Sequence, residues 1–275
     1  MGKTVQRTAY DSFRHVTRII LLVLMSVIVA FPLFYMFSSS LFSASDFNNL
    51  RLFPASPVWE NYTRALNQKF FWRNMLNSVG TSILASVLRT AIAVLAAFAF
   101  TYFKFRGKNL IFTALVLTLF IPQEAVLYQN YRTIAKLGLL DTWAGIISTS
   151  LFSAAQMLLL MGSFKAQSKE IYDAARIDGA TDLRYLTGIL IPLSGPAILT
   201  VAIQTLIVTF NSYLWPLLVT NRSSSRTIQI AMTMLGYAES GQLGPQMATL
   251  VIATAPFLVI LALAKKKIET TLTRR

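Results

Sequence analysis

Few side chains in this sequence could carry chemistry, and that scarcity is informative. There is no cysteine and a single histidine, His15. Disulfides, thiolate metal sites, cysteine nucleophiles, histidine-built zinc sites and histidine-dependent triads are therefore excluded. Gly107-Lys108-Asn109 lacks the upstream glycine and the Ser/Thr of a phosphate-binding loop, so the chain is not expected to hydrolyse ATP or to bind a cofactor or metal itself. What remains is a polar set within apolar sequence: Arg89, Gln123, Glu124, Asn130, Asn211, Tyr213 and Trp215. An arginine inside an apolar helix is costly and faces a bundle interior or a water-filled cavity. Two chemistries fit it: a structural ion pair with Glu124, or an electropositive pathway for an anionic solute. Asn211, Tyr213 and Trp215 offer amide, hydroxyl and aromatic groups suited to a sugar, and the same types also serve as helix–helix hydrogen bonds and interfacial anchors. Gln123 and Asn130 form a second polar group.

The elements that position these residues are apolar helices. The sequence is 55% hydrophobic and 13% charged, against about 25% charged in soluble domains. Six apolar segments stand out, at roughly 19–42, 75–103, 110–127, 145–164, 197–219 and 247–264. Each is long enough to cross a bilayer, where backbone satisfaction demands helix. The expected fold class is all-α: a polytopic membrane protein of six transmembrane helices forming one transmembrane domain over residues 1–275. The first segment follows a basic stretch and precedes Ser43-Ala44-Ser45, as a secretory signal would. Its apolar run is longer than a signal core, so it reads as a retained span.

The net charge of +14 fits the membrane rather than nucleic acid, because the basic residues lie between spans and suit topology and anionic lipid. With the N-terminus inside, sixteen of the 25 Lys and Arg residues fall in cytoplasmic segments and eight in outer ones, Arg89 lying within a span. Both termini are expected in the cytoplasm. Residues 43–73 suit an outer interfacial loop, residues 128–144 a short amphipathic helix ending at Gly138, and residues 220–246 a flexible outer loop.

The long cytoplasmic loop, 165–196, carries the most specific pattern. Glu170 opens a short helix in which Ile171, Ala174, Ala175 and Asp178 share a face. Gly179 supplies a left-handed cap. Asp182 is the expected N-cap of a second helix, interrupted at Pro192. The pair forms a helix–turn–helix knob.

Asp173, Ala174, Ala175, Gly179, Ile189 and Pro192 match the offsets of the signature loop of permeases of binding-protein-dependent ABC importers, Asp173 replacing Glu and Ile191 replacing Leu. The chain resembles the carbohydrate-uptake, maltose G-type group along nearly its whole length. Leu76-Asn77-Ser78, Lys104–Lys108, Leu137–Thr142 and Tyr213-Leu-Trp-Pro216 look like theirs, and Phe71-Trp72-Arg73 with Arg89 is similar to glycerol-3-phosphate permeases. The resemblance implies a bacterial inner-membrane subunit paired with a second homologous permease and an ABC ATPase dimer. ATP and magnesium would sit on that ATPase, the loop would couple to it through Glu170–Gly179, and an extracytoplasmic binding protein would deliver the solute. Ion-coupled secondary transport, expected to show membrane acids and repeats, is the competing class. A membrane enzyme is disfavoured by the lack of His, Cys and clustered acids.

Overall fold

The computed structural model describes residues 2–238 and 243–256. Among them every regular element is helical. The described residues divide into two compact units, one of residues 2–68 with 232–238 and 243–256, the other of residues 69–231.

In the first unit, α1 (Gly2–Ser39) contains a segment of membrane-spanning length and hydropathy from Arg14 to Ser39. Its 26 residues span about 39 Å, more than the ~30 Å of hydrocarbon. Ile20, Leu22 and Val29 are 60, 57 and 70% exposed, so the helix is apolar on all sides and suited to lipid. The helix ends in a tight turn that Asn61 secures by donating to the Ser40 and Phe42 carbonyls at 3.0 and 2.9 Å. Ser43 then caps α2 (Ala44–Asn48) in a capping box with Asp46. Asp46 accepts from the Ser43 hydroxyl at 2.7 Å and from the Ser43 and Ala55 backbone. These donors hold its carboxyl below the ordinary carboxylate range. After α3 (Glu60–Leu66), the unit is completed by a helix over residues 243–256. Gly244 there lies against the Asn61 amide, where a Cβ would come within 2.5 Å.

The second unit is organised around α4 (Phe71–Tyr102). Buried Ala85, Ala93 and Ala97 let neighbouring helices approach closely. Lys108–Leu117 (α5) continues as a 3₁₀ turn to Phe120, and α6 runs over Gln123–Lys136. The two meet at 107°. Pro122 has no N–H to continue the ladder, and it forces Ile121 into extended backbone. The expected continuous span 110–127 is therefore a broken pair, and the amphipathic helix expected at 128–144 begins earlier, at Gln123. The span expected at 145–164 is likewise broken: α7 (Trp143–Ile147) and a 3₁₀ turn meet α8 (Ala154–Lys165) at 59°.

Beyond α8 come α9 (Lys169–Ile177) and α10 (Asp182–Tyr185). A π-helical segment, Leu186–Leu190, leads into α11 (Ile191–Leu193). Pro192 does not interrupt the helix as expected. The hydrogen-bond ladder slips by one residue just before it, so that Ile191 donates to Leu186, and the chain bends only at Ser194. There α12 (Gly195–Phe210) turns away by 82°. The expected fifth span, 197–219, breaks again at Asn211–Tyr213 before α13 (Leu214–Val219). The expected flexible loop 220–246 instead carries an 11-residue helix, α14 (Ile228–Ala238). Among the described residues two helices are long and apolar enough to cross a membrane, and counting each bent pair as one span raises the number to five. The sixth expected span, 247–264, is described only as far as residue 256; its remainder lies outside the described residues.

Helix α4 packs chiefly on α12 and α8, around Phe98, Met157, Leu160, Phe164, Tyr185 and Val201. Polar contacts lock these helices together. Ser86 donates to the Ala202 carbonyl at 2.7 Å, and the Gln156 amide donates to the Thr205 hydroxyl at 3.1 Å. At the start of α4, Asn77 donates to the Ser224 and Arg226 carbonyls, both at 3.0 Å, and accepts from the Trp143 indole at 2.9 Å. The Ile228 N–H donates to Ser78 at 2.7 Å. Asp141, at φ 61°, accepts from the Asn221 and Arg222 N–H groups at 2.8 and 2.9 Å.

Candidate functional site

Two places gather the residues singled out by the sequence. The first is the α9–α10 knob. Ser168 caps α9, accepting from the Glu170 N–H at 3.2 Å. The helix ends in a Schellman arrangement: the Gly179 N–H reaches the Arg176 carbonyl at 3.1 Å, and the Ala180 N–H reaches Ala175 at 2.9 Å. Gly179 sits at φ +79°, as its expected left-handed role requires.

Of the face expected on α9, Ile171, Ala174 and Asp178 are exposed and Ala175 alone turns inward. Ala175 is buried in the core with Tyr185, whereas Glu170, Asp173, Ala174, Ile177 and Asp178 are exposed. Ile177 is 86% exposed, so the outward stripe runs 170, 173, 174, 177 at helical spacing. Tyrosines decide this orientation. The rings of Tyr102 and Tyr172 lie 4.7 Å apart and those of Tyr172 and Tyr185 4.9 Å, which fastens α9 to the end of α4. The Tyr172 hydroxyl donates to Asp182 at 2.9 Å, and Arg176 pairs with the same carboxylate at 3.2 Å. Burial and the bond to Asp182 push the Tyr172 phenol upward. Asp182 is thus a tie between the two helices. The N-cap of α10 is Thr181, which accepts from the Arg184 N–H at 3.3 Å. Ile189 lies half-buried in the π segment, and Pro192 is exposed.

The second place is a cavity of about 660 Å³ in the same unit. It brings together Arg89, Gln123, Asn130 and Trp215. Arg89 is half-buried and makes no ion pair with Glu124, which is exposed. The expected Arg89–Glu124 partnership is absent, since the turn at Pro122 carries Glu124 away from the cavity wall. Trp215 is buried, its indole donating to the Gly145 carbonyl at 3.1 Å. Asn211 and Tyr213 do not line the cavity. Asn211 instead donates to its own helix at the Ile207 carbonyl, 3.0 Å away. Thr133, Ser148, Thr149 and Ser153 also line the cavity. Sequence reasoning missed them, although a run of hydroxyl residues inside a supposed span was a usable signal. No cluster of three or more metal-ligating side chains occurs among the described residues.

A helical chain with interrupted membrane segments, a cavity with polar lining among them and a capped helix–turn–helix knob is a permease-type membrane transport subunit. The chain belongs to the family of binding-protein-dependent transport system inner membrane components, whose pattern matches residues 89–274. It is 30% identical over 262 residues to the sn-glycerol-3-phosphate transport system permease protein UgpE of Brucella suis, covering 90% of this chain and 92% of that one. It is 31% identical to the protein of the same description from Agrobacterium fabrum, over 92 and 95% of the two chains. Its fold matches a bacterial ABC transporter involved in import of the acidic polysaccharide alginate, with a TM-score of 0.83 at 23% identity over 93 and 96% of the chains. A second alginate ABC transporter structure, in complex with an alginate-pentasaccharide-bound periplasmic protein, matches at TM-score 0.69 and 15% identity over 94% of each chain. The chain is therefore an inner-membrane permease subunit of an ABC importer, a transport component rather than an enzyme.

Proposed function

We propose that this permease crosses the membrane six times with both termini in the cytoplasm, as a single transmembrane domain, and that it forms half of a pathway for a sugar or sugar-like solute. A second homologous permease supplies the other half. An extracytoplasmic binding protein delivers the solute, and an ATPase dimer holding ATP and magnesium drives the cycle. The basic residues bordering the apolar segments support the topology, and the relatives named for a polyol phosphate support a small hydroxylated solute. The 165–196 segment is the coupling loop. Its outward stripe of Glu170, Asp173, Ala174, Ile177 and Asp178 docks on the ATPase, while Gly179, Ile189 and Pro192 shape the chain behind it.

The single observation that carries the coupling role is Ile177, a large apolar side chain 86% exposed on a helix whose opposite face is pinned to α4. An apolar residue held out by a rigid mount is an anchor for a partner's pocket. Because the sequence has no cysteine, Ile177→Cys gives a unique thiol for crosslinking. The expected product is an adduct with the copurified ATPase, and Ile177→Asp should abolish recovery of that ATPase. Equal recovery with Ile177→Asp would refute docking through this face.

A further inference from the structure

We infer that the 660 Å³ cavity recognises the anionic group, a phosphate monoester or a carboxylate, of a hydroxylated solute, and that Arg89 is its charged contact. The inference rests on the importer reading and adds the solute's charge and the residue that meets it.

Among the described residues, Arg89 is the one ionised side chain in the cavity lining, and the enclosed Nε of its guanidinium meets no acceptor. No Asp or Glu lines the cavity, so this charge has no protein counter-ion. A half-buried guanidinium kept at membrane depth without one needs a polar cavity and favours an anion there.

The backbone points the same way. Two of the breaks in the membrane helices open onto the cavity, one flanked by Ile121 and Gln123, the other by Phe152 and Ser153. Irregular backbone at membrane depth is tolerated where it lines such a space. Helices α6 and α8, of 14 and 12 residues, both start there, and neither has a side-chain cap. The first N–H groups of α8 add a positive helix end to the guanidinium, whereas the α6 end carries Glu124 in its first turn, facing away from the cavity lining. Asn130, Thr133 and Thr149 provide donors and acceptors for the hydroxyls of the same solute. Trp215, in the wall, provides a reporter.

The test uses the complete importer complex in nanodiscs of phosphatidylcholine alone. Trp215 emission, assigned by difference against Trp215→Phe, is followed while sn-glycerol-3-phosphate or galacturonate is added, with glycerol and galactose as neutral controls. At least one anion should give a saturable change that the neutral compounds do not. Arg89→Gln should weaken that response roughly 10- to 100-fold, the range for a hydrogen bond to a charged group, and Arg89→Lys should fall between. Complex recovery of the Lys variant controls for folding. The inference is overturned if neither anion responds, if the neutral compounds respond as strongly, or if Arg89→Gln changes nothing. The anion could instead come from a lipid headgroup. If phosphatidylglycerol nanodiscs by themselves produce the Arg89-dependent change and block both solutes, the pocket is a lipid site and the solute claim fails. Failure of the importer reading is visible separately, because the ATPase would then be missing from the purified complex.

Discussion

Gly179 offers the sharpest test of how α9 is held. Its φ of +79° places it where side chains with a Cβ are penalised by about 1–2 kcal/mol. A Cβ built there meets nothing within 4 Å, so no collision with neighbours adds to that penalty. Gly179→Ala should therefore cost about 1–2 kcal/mol. Gly179→Val should lie toward the upper end of the roughly 1–3 kcal/mol range for strained backbone. Gly179→Asn should cost least, since Asn tolerates this conformation. These amounts are too small to prevent membrane insertion, yet 1–2 kcal/mol changes the population of a locally ordered cap by about 5- to 30-fold. The Schellman bonds from Gly179 and Ala180 would open, and the stripe from Glu170 to Ile177 would lose its fixed direction. The assay is solute-stimulated ATPase activity of the reconstituted complex, with expression and membrane yield as controls. The expected order of activity is Gly, Asn, Ala, Val, at constant yield. Full coupling by Gly179→Val would refute the cap's role, and a collapse in yield for Gly179→Ala would show that the cost had been misjudged.

Other perturbations test the remaining contacts. Tyr172→Phe removes the bond to Asp182 and should cost about 1 kcal/mol. A double-mutant cycle with Asp182→Asn, read by thermal unfolding in detergent, should give a non-additive result. Gly80→Ala drives a Cβ into the Trp143 ring, and overpacking of this kind costs about 1–3 kcal/mol, measurable as a lowered Tm that Trp143→Leu partly restores. Asp46 contributes stability above the ordinary carboxylate pKa and loses it as pH falls through its depressed folded value. Proteolysis between residues 49 and 58 should therefore increase at strongly acid pH in the wild type, while Asp46→Asn should show the increase already at neutral pH.

The legibility of this sequence followed the range of the interactions involved. Helical class and apolar segments were readable because hydropathy is summed over 18 or more residues and needs no partner. The cap at Gly179 was readable because its geometry is local. The inward turn of Ala175 was not, since it is decided by Tyr102, on a helix far earlier in the sequence, and by Tyr185 beyond the turn at Gly179. Pro122 announced a break that the reading smoothed over in favour of length, and Glu124 was misplaced as a result. Asn77 and Asp141 stood out only through resemblance. Their partners lie 147 and 80 residues further on, so no local pattern could reveal that they fasten the 220–228 segment. Helix α14 was hidden by glycines at 236, 241 and 244 that suggested an irregular connection.

The broken helices also constrain how the chain is made. From Lys108 to Phe120 is 13 residues and α6 is 14, about 20 Å each, and neither alone covers the ~30 Å of hydrocarbon. The joint between them exposes backbone groups that lipid cannot satisfy. During synthesis such halves gain little by entering the bilayer singly, whereas α4, 32 residues long and already complete when they emerge, offers a surface to enter against. The geometry of the breaks therefore predicts an order of insertion, the long helix first and the interrupted segments after it as pairs.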